Sequence, residues 1–312
     1  MNNIKTGLLV MAYGTPQSLD QVEAYYTHIR GGRVPTPEAV EELKDRYRLV
    51  GGRSPLTEIT ERQAHGLAGR VADRLATSVT PYVGMKHAPP FIAEAVEQMV
   101  ADGLDRAVAI VMTPQYSTMS VGGYQRAVHS ALAAHEADMD IRFVDHWHRH
   151  PGFIECLADR VRKAMSTLPE PVRPHTAVVF TAHSLPVRVI ETGDPYAEHL
   201  RELAGAAAAA AELSWWDIAY QSAGKTAVPW LGPDICDVIP TLAQAGAKGV
   251  VVCPAGFVAD HLEVFYDIDV EARAAARQAG MDLARTESLN DSADFLDALA
   301  HVVIRKFDGQ ER

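Results

Sequence analysis

The sequence predicts an α/β protein of two similar, doubly wound domains, related by internal duplication and flanking one cleft. Three observations carry this prediction. Apolar runs of strand length alternate with longer helical patterns along the chain, the mark of successive βαβ units. The strand runs are rich in Val and Ile and do not alternate with polar residues, as expected of parallel strands covered on both faces. Blocks of the first half also recur, in the same order, in the second. Thr6–Pro16 (TGLLVMAYGTP) matches Thr176–Pro186 (TAVVFTAHSLP), and Tyr82–Ile92 (YVGMKHAPPFI) matches Tyr220–Leu231 (YQSAGKTAVPWL). Val108–Pro114 (VAIVMTP) likewise matches Val250–Pro254 (VVVCP).

Taken in order, the first strand, Gly7–Ala12, runs into a polar turn at Tyr13. Helical patterns follow at Leu19–Ile29, Pro37–Val50 and Glu58–Leu75. Strand Thr80–Gly84 leads past Lys86 through a Pro–aromatic–aliphatic step into helix Phe91–Asp102. Strand Ala107–Met112 ends in a Pro turn before helix Gly122–His135, and strand Ile141–Val144 precedes helix Pro151–Met165. The Pro-rich stretch Leu168–Pro174 (LPEPVRP) places a linker between domains 1–168 and 169–312. Beyond it come strand Ala177–Thr181, helix Tyr196–Glu212, strand Trp216–Ser222, helix Asp234–Ala245, strand Gly249–Cys253 and helix Leu262–Ala279. The alanine run 204–211 within one helix needs no functional reading. Amphipathic Ser292–Phe307 makes a last helix, expected to pack back on the first domain.

With 47% hydrophobic and 22% charged residues, the composition is that of a globular protein with a sizeable core. A net charge of −11 argues against nucleic acid, whose phosphates need a basic surface. Yet Arg30, Arg33, Lys44, Arg46, Arg48 and Arg53 cluster in one segment. A basic pocket on an acidic protein suits a small anionic ligand, although a solvated helix face has the same composition. Cys156, Cys236 and Cys253 are widely spaced, which suits a reducing cytosol and buried small side chains rather than a disulfide or zinc framework. The N-terminal run reads as a first strand and not a signal peptide, and no apolar run reaches membrane-spanning length. A cytoplasmic protein is expected. Gly-rich phosphate fingerprints and H-E-x-x-H are missing, which leaves nucleotide binding without support.

Ligands of open α/β sheets sit outside the carboxyl ends of the strands, and two facing lobes make that region a cleft. Tyr13 and His183 occupy equivalent strand ends in the two halves. An imidazole at such a place can take a proton near neutral pH or bind a divalent metal, although many histidines are simply hydrogen-bonded core residues. Tyr13 can stack on a flat ligand or direct its oxygen at a metal, or it can merely cap the core. In the segment 256–271 (GFVADHLEVFYDIDVE), helical spacing stacks Glu263, Asp267 and Glu271 on one face. A solvated acidic face is the ordinary reading of such a row. Glu263, however, lies among His261, Leu262, Val264 and Phe265, and a row of carboxylates suits a hydrated divalent cation. Arg30, Arg46, Tyr47 and Ser54 are placed to hold carboxylates through charge-assisted hydrogen bonds.

GLLVMAYGTP, YYTHIRGGR, LKDRYRLVGGRSPL, TAHSLP, WLGP and GFVADHLEVFYD resemble, in order, the motifs of the ferrochelatases, and the resemblance runs from about Gly7 to Phe307. It is most specific at TAHSLP and GFVADHLEV, and the soluble members that insert iron into coproporphyrin III are the nearest in pattern. Membrane-associated members acting on protoporphyrin IX usually carry additional sequence. The resemblance implies two Rossmann-like domains with four-stranded parallel sheets in the chelatase-like arrangement. It implies His183 and Glu263 as catalytic and metal-binding residues on the metal-insertion side of the pocket, with Tyr13 on the opposite face. It also implies Arg30, Arg46, Tyr47, Ser54 and Tyr124 at the propionates, and Asp267 and Glu271 at an outer metal site, where Mg2+ is one expected occupant. Iron enters as substrate and no prosthetic group is expected. Some members carry an iron–sulfur cluster on clustered C-terminal cysteines; this chain has no cysteine after Cys253.

The function implied is insertion of Fe2+ into coproporphyrin III to give coprohaem in haem biosynthesis. The expected protein is a monomer without stable membrane insertion, and a transient partner accepts its product. Protoporphyrin IX is the alternative substrate. A non-catalytic carrier of tetrapyrrole or haem would use the same cleft without needing Asp267 and Glu271. A two-lobed sugar or amino-acid binding protein is the remaining alternative, disfavoured by the reading of the N-terminus.

Overall fold

A computed structural model describes residues 4–309. Each lobe is built on a four-stranded parallel sheet, and the two sheets have the same strand order. In the first, β2 (Val79–Met85), β1 (Thr6–Ala12), β3 (Arg106–Val111) and β4 (Asp140–Val144) lie side by side. In the second the order is β6 (Trp216–Gln221), β5 (Thr176–His183), β7 (Gly249–Cys253) and β8 (Asp282–Arg285). The registers correspond as well: Thr6 pairs with Arg106 on β3, and Thr176 pairs with Gly249 on β7. The shared topology agrees with the matched sequence blocks.

The seven strands expected from sequence are present, and β8 is an eighth that the patterning did not show. It is four residues long, with Ala284 alone buried and Asp282 exposed. An edge strand with one half-solvated side lacks the continuous apolar run by which buried parallel strands are recognised. Helices α1 (Val22–Ile29), α2 (Pro37–Leu49), α3 (Leu56–Leu75), α4 (Ile92–Ala101), α5 (Val121–Ala134) and α6 (Pro151–Thr167) belong to the first half. The second half adds α7 (Val187–Glu191), α8 (Tyr196–Ala210), α9 (Ile235–Gln244), α10 (Arg273–Gln278) and α11 (Ala293–Phe307). The expected α-helix over 262–279 is instead a π-helix at Val264–Ala272 that continues into α10. No helix among the described residues is long and apolar enough to cross a membrane.

Helices cross between the lobes. The last helix, α11, packs on α3, α6 and β4 of the first half, while α6 reaches over to α8, β7 and β8 of the second. One continuous core results, running from Leu8, Val10 and Ile110 through Phe153 and Phe295 to Val178, Phe180 and Val251. Separate clusters cover the outer sheet faces, under α4 and α5 in the first lobe and under α9 and the π-helix in the second. Ion pairs rim the α11 contact at Arg62–Asp291 (2.9 Å) and Arg70–Asp297 (3.0 Å). Exposed pairs of this kind contribute little beside burial. The aromatic contacts of Phe295 with Trp147 (5.8 Å between ring centroids) and Phe153 (6.2 Å) sit inside this exchange. Phe295→Ala should therefore cost about 3–5 kcal/mol in urea unfolding. Because the core is shared, both lobes should lose stability in one transition; a second transition confined to one lobe would contradict the shared core.

Candidate active site

The carboxyl ends of both sheets open on the same region. At the end of β1 the chain turns at Tyr13–Gly14, and Gly14 has φ +87°. A Cβ there would meet Met85 Cβ and Ala88 N at 3.0 Å, so only glycine lets the turn pack on the loop after β2. Tyr25 Oη donates to Gly14 O (3.1 Å), and Tyr47 Oη shares a hydrogen bond with Thr15 Oγ1 (3.0 Å). At the end of β7, Gly256 lies against β5, where a Cβ would come within 2.6 Å of Ala182 Cβ. Its N–H donates to Thr181 O (2.9 Å), drawing the loop that carries His261 and Glu263 beside His183.

Glu263 stands between two imidazoles. His183 Nε2 is 3.7 Å from Glu263 Oε1, and His261 Nε2 is 3.6 Å from Glu263 Oε2. The far nitrogen of each ring contacts a backbone carbonyl: His183 Nδ1 lies 2.5 Å from Ser184 O, and His261 Nδ1 lies 3.1 Å from Ala259 O. A carbonyl oxygen can only accept, so both Nδ1 atoms carry hydrogen in the neutral rings. Both Nε2 lone pairs then point at the carboxylate. A proton taken up by either ring would sit on Nε2, facing the carboxylate. Burial by itself would raise the Glu263 pKa. Once the rings are protonated, the charge of His183, the contact and charge of His261, and the Arg46 charge outweigh it and hold the carboxyl at about 2.

His261 was not singled out by the sequence reading, which treated it as a neighbour of Glu263. The signal was the D-H-L-E spacing itself, legible only once the loop is seen to bend residue 261 back toward residue 263. Phe257 and Trp230 flank His183, with ring centroids 6.3 and 6.5 Å away. Among the described residues, no three His, Cys, Asp or Glu side chains converge closely enough to form a metal cage.

The acidic row is staggered rather than straight. A π-helical turn closes at i+5 instead of i+4, which rotates successive carboxylates off a common line. Asp267 is buried, and its Oδ2 accepts from Ser222 Oγ and from Gln221 Nε2 (3.4 Å), whereas Glu271 is exposed. Ser222 holds its hydroxyl there from a left-handed backbone with φ +61°. Burial first, then the charges of Glu263 and Glu271, push the Asp267 pKa from 3.8 to about 6 against the lowering effect of its hydrogen bonds.

Of the other expected residues, Tyr13, Tyr47 and Arg46 lie within the electrostatic reach of Glu263, and no contact among the described residues ties Arg30 or Ser54 to it. Tyr13 is 41% exposed, with its ring 4.5 Å from His87. Desolvation and then the Glu263 charge raise its pKa, so the two groups share the cleft. Tyr47 is buried, and its phenol is likewise raised by burial and by Glu263. Arg46 lies over the Tyr266 ring (4.6 Å) and pairs with Glu42 (3.4 Å). Arg30 is exposed over Tyr26 (5.6 Å), and Ser54 is buried with its Oγ 3.4 Å from Leu56 N. Tyr124 is buried, its pKa raised by burial and then by Tyr13.

Lys86, outside the expected binding set, lies over the Tyr124 ring (5.1 Å) and donates to Met119 O (3.3 Å). It is half-buried and has no carboxylate partner among the described residues; burial and then Arg126 lower its pKa. Its strand-end position puts the Lys86 loop on the functional surface in the sequence reading, but the missing carboxylate partner is a property of the fold and is not read from sequence.

The Asp267 shift has a measurable consequence. A carboxyl whose pKa rises on folding binds its proton more tightly in the native state, so stability falls as pH climbs from about 4 to about 6 and stays reduced above. Asp267→Asn should therefore be more stable than the parent at about pH 8, by on the order of 2 kcal/mol. The advantage should vanish at about pH 4 in matched thermal or urea unfolding. An equal difference at both pH values would contradict the shift.

Comparison with known proteins identifies the family and the fold. The ferrochelatase family model matches residues 5–307. A coproporphyrin III ferrochelatase of Bacillus subtilis is 43% identical over 309 residues, covering 98% of this chain and 99% of that protein. A ferrochelatase of Herpetosiphon aurantiacus is 42% identical over 299 residues, covering 96% and 98%. Among solved structures, the cobalt complex of the sirohydrochlorin chelatase SirB from Bacillus subtilis subspecies spizizenii shares the fold. Its TM-score is 0.59 at 10% identity, covering 99% of this chain and 97% of that one. The two duplicated lobes, with a carboxylate set between two histidines where their strand ends meet, belong to a member of the ferrochelatase family.

Proposed function

We propose that this ferrochelatase inserts Fe2+ into coproporphyrin III, with His183 and Glu263 as its catalytic pair. The observation that carries the assignment is the Glu263 carboxylate between two Nε2 lone pairs. A porphyrin releases two N–H protons as it takes up Fe2+, so the reaction needs proton acceptors beside a site that attracts a dication. Glu263 stays anionic beside a protonated imidazole, whose charge lowers its pKa. His183, at the strand end facing the cleft, accepts the two pyrrole protons in turn and releases each to solvent. Glu263 stabilises the imidazolium and attracts the incoming iron, which imidazole and carboxylate both suit as ligands. Asp267 and Glu271 lead outward from it and serve arriving hydrated cations, iron or Mg2+. Tyr13 meets the metal from the opposite face of the ring. No prosthetic group is required.

Support for coproporphyrin III comes from the Bacillus subtilis relative of that name, and from the cations around the cleft. Arg30, Arg46 and Lys86 are three cations, one more than the two carboxylates of protoporphyrin IX, while Tyr47, Ser54 and Tyr124 of the expected set are buried. The coprohaem product then passes to a transient partner in the cytoplasm.

Anaerobic assays with both porphyrins and Fe2+ test the reading. Each additional charge-assisted hydrogen bond is worth about 1.5–3 kcal/mol, so kcat/KM should favour coproporphyrin III by at least ~10-fold. Equal or better turnover of protoporphyrin IX would overturn the substrate assignment. His183→Ala should lower kcat by about 10²–10⁴-fold, the range of a lost general base; retained turnover would overturn the site.

A further inference from the structure

Behind His183 lies a hydrogen-bonded chain that touches neither the cleft nor any expected substrate contact. Tyr196 Oη donates to the backbone carbonyl of His183 (2.8 Å). The next residue, Ser184, is fixed at two points: its N–H donates to Gln221 O (2.7 Å) and its Oγ donates to Leu231 O (2.7 Å). Its carbonyl is the acceptor for His183 Nδ1. Tyr196 in turn is set by Asp194, whose Oδ1 accepts from Tyr196 N (3.1 Å). The other oxygen of Asp194 reaches into the first lobe, accepting from Thr118 N (2.7 Å), Thr118 Oγ1 (2.8 Å) and Ser117 Oγ (3.0 Å). Ser117, Ser184, Asp194 and Tyr196 are all buried.

We infer that Tyr196 is a positioning residue that holds His183 in its Nδ1–H tautomer, and that Asp194 ties this arrangement to the first lobe. The inference rests on the reading of His183 as the proton acceptor and says what makes it competent. An imidazole can offer Nε2 to a pyrrole proton or to Fe2+ only while its hydrogen resides on Nδ1. The acceptor that keeps it there is the Ser184 carbonyl, one peptide unit beyond His183–Ser184, so whatever immobilises the His183–Ser184 peptide fixes the residue that carries the acceptor, selects the tautomer and aims the ring. Tyr196 grips the carbonyl on one side of that unit and Ser184 grips the other. The Asp194 contacts carry the same constraint across the seam to the loop after β3, in the lobe that supplies Tyr13, Lys86 and Tyr124. The acceptor thereby keeps its distance from groups that grip the macrocycle from the other lobe.

The test is nitrogen NMR of the His183 ring in the full chain without porphyrin or metal, under alkaline conditions, with His183→Gln used to assign the signals. The parent should show one neutral tautomer with hydrogen on Nδ1. Tyr196→Phe keeps the ring volume and should convert this to a mixture. The same variant should lower kcat for metal insertion by about 10–100-fold, the usual cost of losing a partner that orients a histidine. KM for the porphyrin should change less than about twofold, since Tyr196 is expected to touch none of it. A parent protein with hydrogen mainly on Nε2 would overturn the inference before any variant is made, including the case in which Tyr196→Phe does not fold. A single Nδ1–H tautomer and undiminished kcat in Tyr196→Phe would overturn it as well. Asp194→Asn should reproduce the tautomer mixture more weakly. The NMR signature is independent of turnover, so an active His183→Ala enzyme would refute the catalytic reading while leaving the tautomer result standing on its own.

Discussion

The strand-end site is organised around one carboxylate, Glu263, set between two imidazoles. The Nδ1 hydrogens of His183 and His261 are committed to the carbonyls of Ser184 and Ala259, which leaves two lone pairs and an anion aimed at one another. Such a cluster is poorly satisfied when empty and well satisfied by a proton or a dication.

Holding that carboxylate requires both lobes. Glu263 rides on the helix after β7, Arg46 reaches its field from α2, and Tyr13 feels its charge from the end of β1. The lobes are kept in register by the exchange of α6 and α11, which merges two sheet interiors into one core. Duplication supplied two equivalent strand ends. Divergence placed a phenol on one and an imidazole on the other, giving the facing groups distinct chemistry.

Much of this was legible in the chain. The matched blocks at Thr6 and Thr176 disclosed the duplicated topology because buried parallel strands must be continuously apolar. Their ends disclosed Tyr13 and His183, since a polar residue ending such a run has few other reasons to be there. What was not legible depended on contacts between distant segments. β8 is an edge strand with only Ala284 buried, so its composition resembles a loop. The π-helical winding that buries Asp267 and exposes Glu271 is invisible to a count of residues at α-helical spacing. His261 and Lys86 gain meaning only from neighbours, a carboxylate in one case and the lack of one in the other. The roles of Tyr196 and Asp194 arise from a seam between halves that no local pattern records.

X-ray absorption at the iron edge, on protein loaded anaerobically with Fe2+ and no porphyrin, tests the central claim most directly. The converging lone pairs predict a mixed nitrogen and oxygen shell with imidazole scattering, which weakens in His183→Ala and again in Glu263→Gln. An all-oxygen shell that is unchanged by His183→Ala would contradict the account, because iron would then be gathered somewhere other than the carboxylate between the two histidines.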